Sequence, residues 1–265
     1  MAKGTYEEAY SNLIKEIRSV ALYKHRYDVF RDFVTMTAIS LHNAVHFDQP
    51  REDEYLKIIG SYEKKDQLAF PALLGLLVTT LEFEPKDVLG TVYMDLELGS
   101  RDKGQFFTPS HICEFMAQIV HGDELSRLFQ PFITLSEPAC GAGGMVLAFV
   151  KEMLKRGHNP AERLWTQCTD VDRLAALMTF VQLTLWNVPA EVIVGNSLSL
   201  EVREVWHTPQ HILGFWSYRL AKRREEKASE KPQDGQETVL EGEVADKAAI
   251  APSDAIRPVQ FDFGF

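Results

Sequence analysis

A glycine-rich run preceded by an acid is the part of this sequence best suited to hold a ligand. Residues 137–144 read EPACGAGG and follow a short apolar stretch. Glycines at such a place let the backbone come close to a nucleotide-like ligand. Dinucleotide sites seat a pyrophosphate on G-x-G-x-x-G, whereas here Glu137 stands four residues before the first glycine, and its carboxylate would repel a pyrophosphate. A carboxylate suits the cationic methionine end of S-adenosylmethionine, which we therefore predict as the cofactor.

Polar residues also close the next two apolar runs. Asp170 lies 26 residues beyond Gly144, and an acid at the carboxyl end of a strand can accept hydrogen bonds from both ribose hydroxyls. Asp172 is the alternative, but we expect it to cap the following helix. The side-chain amide of Asn196 could meet the adenine ring. The ordered set favours a cofactor site over glycines that only turn a strand into a helix, and over a nicotinamide-dependent oxidoreductase.

The elements that must position these residues alternate between strands and helices. Short apolar runs at 132–135, 164–169 and 191–194 predict strands, and helical periodicity follows at 145–156 and 174–186. Such alternation is typical of βαβ units and a parallel sheet, in which the carboxyl ends of the strands form one crevice. From about residue 5 to 100 the apolar residues recur at three and four positions, which predicts a helical module.

A second motif lies upstream of the glycine run. Residues 104–109 read GQFFTP and residues 87–93 read DVLGTVY. With the segments above, they resemble the modification subunit of type I restriction systems and its relatives, the amino-group DNA adenine methyltransferases. In that family an equivalent G-Q-[FY]-[FY]-T-P segment precedes the cofactor-binding strand and lines the S-adenosylmethionine pocket. The resemblance covers roughly residues 85–200, although Met94 replaces the family's usual acid.

The resemblance implies a set of residues that contact the cofactor. They are Gln105, Phe106, Phe107, Thr108, Pro109, Glu137, Cys140, Gly141, Ala142, Gly143 and Asp170. Asn196 departs from the more usual aspartate, but an amide can both accept and donate. GQFFTP also has a purely structural interpretation, with both phenylalanines as core anchors, Thr108 as a helix N-cap and Pro109 as the first helical residue.

The family's catalytic tetrapeptide, [DNS]-P-P-[YFW], occurs nowhere in the sequence. Methylation of adenine N6 requires a flipped base, an aromatic stacking surface and acceptors for the amino group. The nearest substitute by position is residues 207–210, HTPQ, with Gln210 as an acceptor and Trp206, Phe215 or Trp216 as stacking surfaces. Two prolines and an aromatic shape the family's loop, so the substitution is a weak one. We leave the catalytic residues unassigned.

Composition and charge bound these hypotheses. The chain has 265 residues, 45% of them apolar and 25% charged, which excludes collagen-like, coiled-coil and wholly disordered proteins. No stretch reaches the apolar length of a membrane span, and we expect a cytoplasmic protein with no membrane contact.

The three cysteines (Cys113, Cys140, Cys168) lack C-x-x-C spacing, so we predict reduced thiols and no metal site. The net charge of −10 means that DNA binding must be local or borrowed from a partner subunit.

The apolar pattern ends near Leu220, and we expect residues 223–265 to be a mostly disordered acidic tail. Its end, VQFDFGF at 259–265, alternates apolar and polar residues. This segment is either a peptide that docks on a specificity subunit or another protein, or an idle end. A basic aromatic cluster before the tail either touches nucleic acid or is a solvated helix face. The cluster comprises Tyr218, Arg219, Lys222, Arg223 and Arg224.

These observations predict an α/β protein with a Rossmann-like sheet of the class I S-adenosylmethionine-dependent methyltransferase kind. Because such sheets normally continue for several more strands, we expect a truncated sheet here. The predicted division is an N-terminal helical module at 1–100, a methyltransferase-like domain at 101–222 and the tail at 223–265. The function expected from the resemblance is methyl transfer to adenine N6 in DNA, with or without a partner subunit. The alternative is a catalytically inactive, cofactor-binding relative that serves as a regulatory or decoy subunit in a restriction-modification assembly.

Overall fold

The computed structural model describes residues 4–96, 107–126 and 128–229. Its N-terminal part is helical. The six helices there are α1 (Tyr6–Ser19), α2 (Arg26–Asn43), α3 (Gln49–Gly60), α4 (Lys64–Gln67), α5 (Ala69–Leu81) and α6 (Val88–Asp95). Thr5 and Glu8 form a capping box that starts α1, and the apolar stripe of this helix buries Leu13 and Ile17. The predicted helical module is therefore present.

Helices and strands alternate in the rest of the described chain. The elements are α7 (Ser110–Ser126), β1 (Ile133–Glu137), α8 (Gly144–Lys155), α9 (Pro160–Arg163), β2 (Leu164–Asp170), α10 (Arg173–Leu185), β3 (Ala190–Asn196), β4 (Glu201–His207), α11 (Pro209–Leu213) and α12 (Trp216–Ser229). In the described ranges the strands form one sheet of order β1-β2-β3-β4. The first three strands are parallel and β4 is antiparallel to β3. The α/β prediction is confirmed, and the antiparallel strand was not predicted.

The two faces of the sheet are covered differently. Leu135 and Cys168 point into a large core shared with α8, α10 and the N-terminal helices. On the other face, Phe132 and Trp165 pack against Trp216 of α12. Because one continuous core extends from the helical module into the sheet, the N-terminal helices pack directly on the α/β part of the chain.

The helix α12 extends past the predicted start of the tail. It continues to Ser229, seven residues beyond the predicted boundary at 222. Trp216 and Leu220 anchor the helix on the sheet, and the guanidinium of Arg219 lies 3.7 Å from the Trp216 ring centroid. The guanidinium of Arg223 lies 4.8 Å from the ring centroid of Phe132, so two members of the basic cluster hold this helix in place. The rest of the predicted tail, residues 230–265, lies outside the described residues.

Salt bridges and a cation–π contact join the helical module to the far edge of the sheet. Arg173 of α10 bonds Glu54 of α3 at 2.9 Å and Glu204 of β4 at 2.7 Å. Arg51 of α3 stacks 3.7 Å from the ring centroid of buried Trp206. Through these contacts α3 and α10 pack against β4.

None of the helices in the described ranges has the length and apolar content of a membrane span.

Candidate functional site

Three strands bring the predicted polar residues to one edge of the sheet. Glu137 ends β1, Asp170 ends β2 and Asn196 ends β3. The parallel register pairs Glu137 with Cys168, two residues before Asp170, so the two acids lie at neighbouring strand ends. Carboxyl ends of parallel strands are where open α/β sheets hold ligands. The structure thus places these three side chains at the predicted edge.

The glycine loop is bonded directly to the acid of the next strand. The amide of Gly141 donates to Oδ2 of Asp170 at 2.8 Å, and the amide of Asp172 donates to Oδ1 at 2.8 Å. Gly141 and Gly143 have φ angles of +55° and +90°, in the region that favours glycine. Each carboxylate oxygen of Asp170 keeps a lone pair after accepting one bond. Asp170 therefore fixes the loop and still has acceptor capacity for a ligand.

The lead-in segment reaches the same loop through Phe107. A Cβ atom at Gly141 would lie 3.1 Å from the Phe107 ring, and this ring also packs edge-on against Tyr93. The helix α7 begins at Ser110, so Pro109 is the residue before the helix and not its first residue. The carbonyl of Pro109 accepts from the amide of Cys113 at 3.2 Å. The predicted residues Gln105 and Phe106 lie outside the described residues.

Two side chains that were not predicted from the sequence hold the glycine loop by hydrogen bonds. Thr179 of α10 donates to the carbonyl of Gly141 at 2.8 Å. Gln182, one turn further along, is fully buried, and its Nε2 donates to the carbonyl of Ala142 at 2.8 Å and to Asp87 at 3.0 Å. A glutamine within the apolar run 174–186 was the available signal, because buried amides are held by several hydrogen bonds.

Asp87 lies beneath the loop as the N-cap of α6. Its side chain is only 5% exposed and accepts from the amide of Gly90 at 2.7 Å. Burial raises the pKa of Asp87 to about 6, although the bonds from Gln182 and Gly90 oppose the rise. The ionised form is thus costly in the folded protein, where this carboxyl binds its proton more tightly than in the unfolded chain.

Substituting Asp87 by asparagine is expected to remove a pH dependence of stability. Between pH 4 and 6 the unfolded chain releases the Asp87 proton while the folded chain keeps it, so wild-type stability falls as the pH rises. A shift of about two units corresponds to about 3 kcal/mol at about 1.4 kcal/mol per unit. Asn keeps the capping oxygen, so Asp87→Asn should flatten this decline in urea unfolding at several pH values. Asp48→Asn, at the N-cap of α3, is the control that should keep the decline; an equal decline in Asp87→Asn would contradict the assignment.

The electrostatics of the edge favour a cationic ligand. Burial and the neighbouring Asp170 raise the pKa of Glu137, and burial raises the pKa of Asp170. Neither carboxylate forms an ion pair within the described part of the chain. A cation placed between them would lower both pKa values and relieve their repulsion.

Asp172 and Asn196 have local structural bonds. As predicted, Asp172 caps α10, with its side chain accepting from the amide of Ala175 at 3.0 Å. The side-chain oxygen of Asn196 accepts from the amides of Leu198 and Ser199 at 3.0 and 3.3 Å, which closes the turn after β3. The oxygen of Asn196 is therefore engaged, and its amide nitrogen is the group left to meet a ligand.

Residues 207–210, the suggested catalytic segment, lie at the opposite end of the strands from Glu137, Asp170 and Asn196. His207 ends β4, and because β4 is antiparallel to β3 it pairs with Glu191 at the opposite end of β3 from Asn196. The amide of Thr208 donates to the carbonyl of Ala190, and the six steps from Ala190 to Asn196 span about 20 Å at about 3.3 Å per residue. Gln210 donates to the carbonyl of Ala161 there. The suggestion that HTPQ replaces the tetrapeptide is wrong.

The stacking surfaces suggested for that segment are displaced with it. Trp206 is buried between the helical module and the sheet, and Trp216, the first residue of α12, is buried against Phe132 and Trp165. Phe215, exposed, precedes α12. None of the three lies at the strand ends that carry Glu137 and Asp170.

The cysteines are not equipped for covalent chemistry. All three are free and buried. Burial raises the pKa of Cys140 well above its ordinary value and that of Cys168 to about 12, so both remain thiols at neutral pH. Cys140 contributes to the loop through its backbone, because its amide donates to the carbonyl of Thr169 at 2.9 Å.

Comparison with known proteins identifies the family. The family model described as N-6 DNA Methylase matches residues 85–221, which is more than half of the chain. The chain belongs to the N-6 DNA methylase family. The match includes the glycine loop, Phe107, Asp170 and the buried Asp87 and Gln182. No curated protein matches the chain.

Two solved structures are similar to this family member. One is described as a putative class I S-adenosylmethionine-dependent methyltransferase from Listeria monocytogenes, with 14% identity, a TM-score of 0.39 and coverage of 69% of this chain and 52% of that one. The other is the methyltransferase subunit of a type I restriction-modification system from Streptococcus thermophilus, with 13% identity, a TM-score of 0.35 and coverage of 70% and 57%. The chain thus spans little more than half the length of either protein.

Proposed function

We propose that this chain binds S-adenosylmethionine at the carboxyl edge of β1, β2 and β3. The observation that carries the proposal is the contact of three segments distant in sequence, through one hydrogen bond and the packing of one aromatic ring. The amide of Gly141 donates to Asp170, and the Phe107 ring lies against Gly141. Two acids with raised pKa values complete an edge that suits a cationic nucleoside. Membership of the N-6 DNA methylase family supports the same cofactor.

Each residue of the edge has a chemical role in this proposal. The carboxylate of Glu137 faces the positively charged amino-acid end of the cofactor, and Asp170 accepts from its ribose hydroxyls. Loop backbone at 140–143 comes close to the ligand because glycine leaves room there, and Phe107 supplies an apolar surface. The amide of Asn196 faces the adenine ring. When bound, the cofactor supplies an electrophilic methyl group.

The acceptor proposed for that methyl group is the exocyclic N6 amino group of adenine in DNA. Family membership and the resemblance of GQFFTP to the modification subunits support this choice. The net charge of −10 opposes contact with a phosphate backbone over most of the surface. We therefore propose that DNA is engaged together with a partner subunit.

A second candidate function follows from the missing tetrapeptide. The sequence contains no [DNS]-P-P-[YFW], and residues 207–210 lie about 20 Å from the cofactor edge. The alternative is a cofactor-binding relative without turnover, which regulates or replaces a modification subunit in a restriction-modification assembly. Both candidates require the same cofactor site.

Substituting Asp170 by alanine tests the cofactor site. Affinity for S-adenosylmethionine, measured by calorimetry, should fall more than tenfold, about 1.4 kcal/mol or more, because the ribose acceptor and the anchor of the Gly141 amide are both lost. Asp172→Ala is the matched control: it removes the α10 cap, costs about 1 kcal/mol of stability and leaves affinity within about twofold. Unchanged affinity in Asp170→Ala would transfer the role to Asp172.

A transfer experiment separates the two candidate functions. The full chain is incubated with S-adenosylmethionine labelled in its methyl group and mixed-sequence DNA, alone and with candidate partner subunits. Label in adenine that is lost with Asp170→Ala supports methylation. Tight cofactor binding without label in DNA under any of these conditions supports the alternative.

A further inference from the structure

Within the described residues, no strand pairs with the outer side of β1. In the described part of the chain β1 pairs with β2 on one side only. Leu135 is the one buried residue among the five of β1, whereas four of the seven residues of β2 are buried. A strand with one free edge presents a row of N–H and C=O groups that can pair with a further strand.

A helix on the core side of the sheet has an uncovered apolar flank. Cys113 and Ala117 of α7 pack against Ala148 of α8. The next flank of α7, at a spacing of three and four residues, is apolar and exposed. Its members, with their exposed fractions, are Ile112 (41%), Phe115 (61%), Ile119 (66%) and Val120 (43%). A contiguous apolar patch of this kind marks a docking surface.

The free edge and the apolar flank together define what a docked strand must look like. Leu135 of β1 points into the core layer of α8, on which α7 packs, so one side of an added strand faces α7. The other side faces α12, where Arg223 donates to the carbonyl of Phe132 at 3.4 Å. The strand must therefore be apolar on one side and polar or acidic on the other.

We propose that residues 259–265 of this same chain, the C-terminal segment, form that strand on the free edge of β1. The sequence VQFDFGF has the period of two that a strand requires. Val259 and the three phenylalanines fall on the side that faces the α7 flank. Gln260 and Asp262 fall on the other side, and Asp262 complements the basic side chains of α12.

The chain is long enough for this pairing. Arg223 contacts Phe132, the residue just before β1, and Ser229, the last residue of α12, is six residues and about 9 Å further along the helix. The 29 residues from 230 to 258 have a maximum reach of about 95 Å at about 3.3 Å per residue, which is far more than this separation. A tether of this length holds the C-terminal segment near the edge at a high effective concentration. The proposal does not depend on cofactor binding.

Hydrogen exchange in the full-length protein tests the proposal. Phe263→Asp places a charge on the side that faces α7, and Gln260→Asp places the same charge on the opposite side. We expect the β1 amides within 133–137 that point away from β2 to exchange about tenfold faster in Phe263→Asp and to stay within about twofold of wild type in Gln260→Asp. Ile119→Asp, an exposed position on the flank, should reproduce the effect of Phe263→Asp. Equal exchange in all four proteins would overturn the proposal.

Crosslinking distinguishes this chain's own segment from other occupants. The double variant Ile119→Cys/Phe263→Cys, treated with a short bis-maleimide, should give an internally linked monomer whose yield is independent of protein concentration. The three native cysteines are buried and serve as a low background, which each single variant measures. Linked dimers that increase with concentration would overturn the proposal in favour of a second copy. No link at any concentration would overturn it in favour of a different partner at this edge.

Discussion

Replacing Gln182 by leucine is expected to lower the free energy of unfolding by about 3–5 kcal/mol. The amide oxygen of Gln182 accepts from the amides of Val88 and Leu89 at 2.8 and 3.1 Å, and its nitrogen donates to Asp87 and to the carbonyl of Ala142. Leucine fills the space but leaves the amides of Val88 and Leu89 and the carbonyl of Ala142 without this partner in the core, while Asp87 keeps only the bond from Gly90. Each buried unsatisfied group costs about 1–3 kcal/mol, part of which local relaxation recovers. Chemical unfolding at pH 7 measures the loss.

A second glutamine gives the matched control. Gln167 of β2 is half-buried and its nitrogen donates to Glu191 at 2.8 Å, at the surface of the sheet. Gln167→Leu should cost less than about 1 kcal/mol. Equal losses in the two variants would show that Gln182 acts as ordinary core volume, and would remove the link between α6 and the glycine loop.

The parallel part of the fold could be predicted because its signals are local. Short apolar runs that end in glycine or acid, each followed by helical periodicity, mark β1, β2 and β3. Neighbouring parallel strands have their carboxyl ends at the same end of the sheet, so the proximity of Glu137 and Asp170 followed from topology.

One strand and the end of one helix were not predicted, because exposed charged residues dominate both. The strand β4 reads EVREVWH, in which Glu201 and Arg203 are exposed and only Trp206 is buried. Charged edge strands of this kind lack a strong apolar alternation. The last turns of α12 read RREEK, a run typical of disorder, yet two buried side chains one turn apart, Trp216 and Leu220, are enough to hold the helix.

The residues of the candidate site also differ in how far the sequence could predict them. The residues at strand ends were predictable from motif and order, whereas the support beneath them was not. Asp87 and Gln182 are separated by 95 residues and meet only through packing of α6 on α10. Their type gave a hint, since polar groups in apolar runs need partners, but the identity of each partner is a tertiary property.

Replacing Gly141 by alanine is expected to weaken S-adenosylmethionine binding by about 10- to 100-fold. Gly141 has a φ of +55°, which costs alanine about 1 kcal/mol, and the new Cβ would lie 3.1 Å from the Phe107 ring. Either Phe107 or the loop must move, and a moved loop lengthens the bond from the Gly141 amide to Asp170.

Gly157→Ala separates the cost of a positive φ from the cost of the contact with Phe107. Its φ is +75°, but a Cβ there meets nothing within 4 Å, so stability should fall by a similar amount with affinity within about twofold of wild type. If calorimetry gives equal affinities for Gly141→Ala and Gly157→Ala, the contact between Phe107 and the loop does not shape the cofactor site.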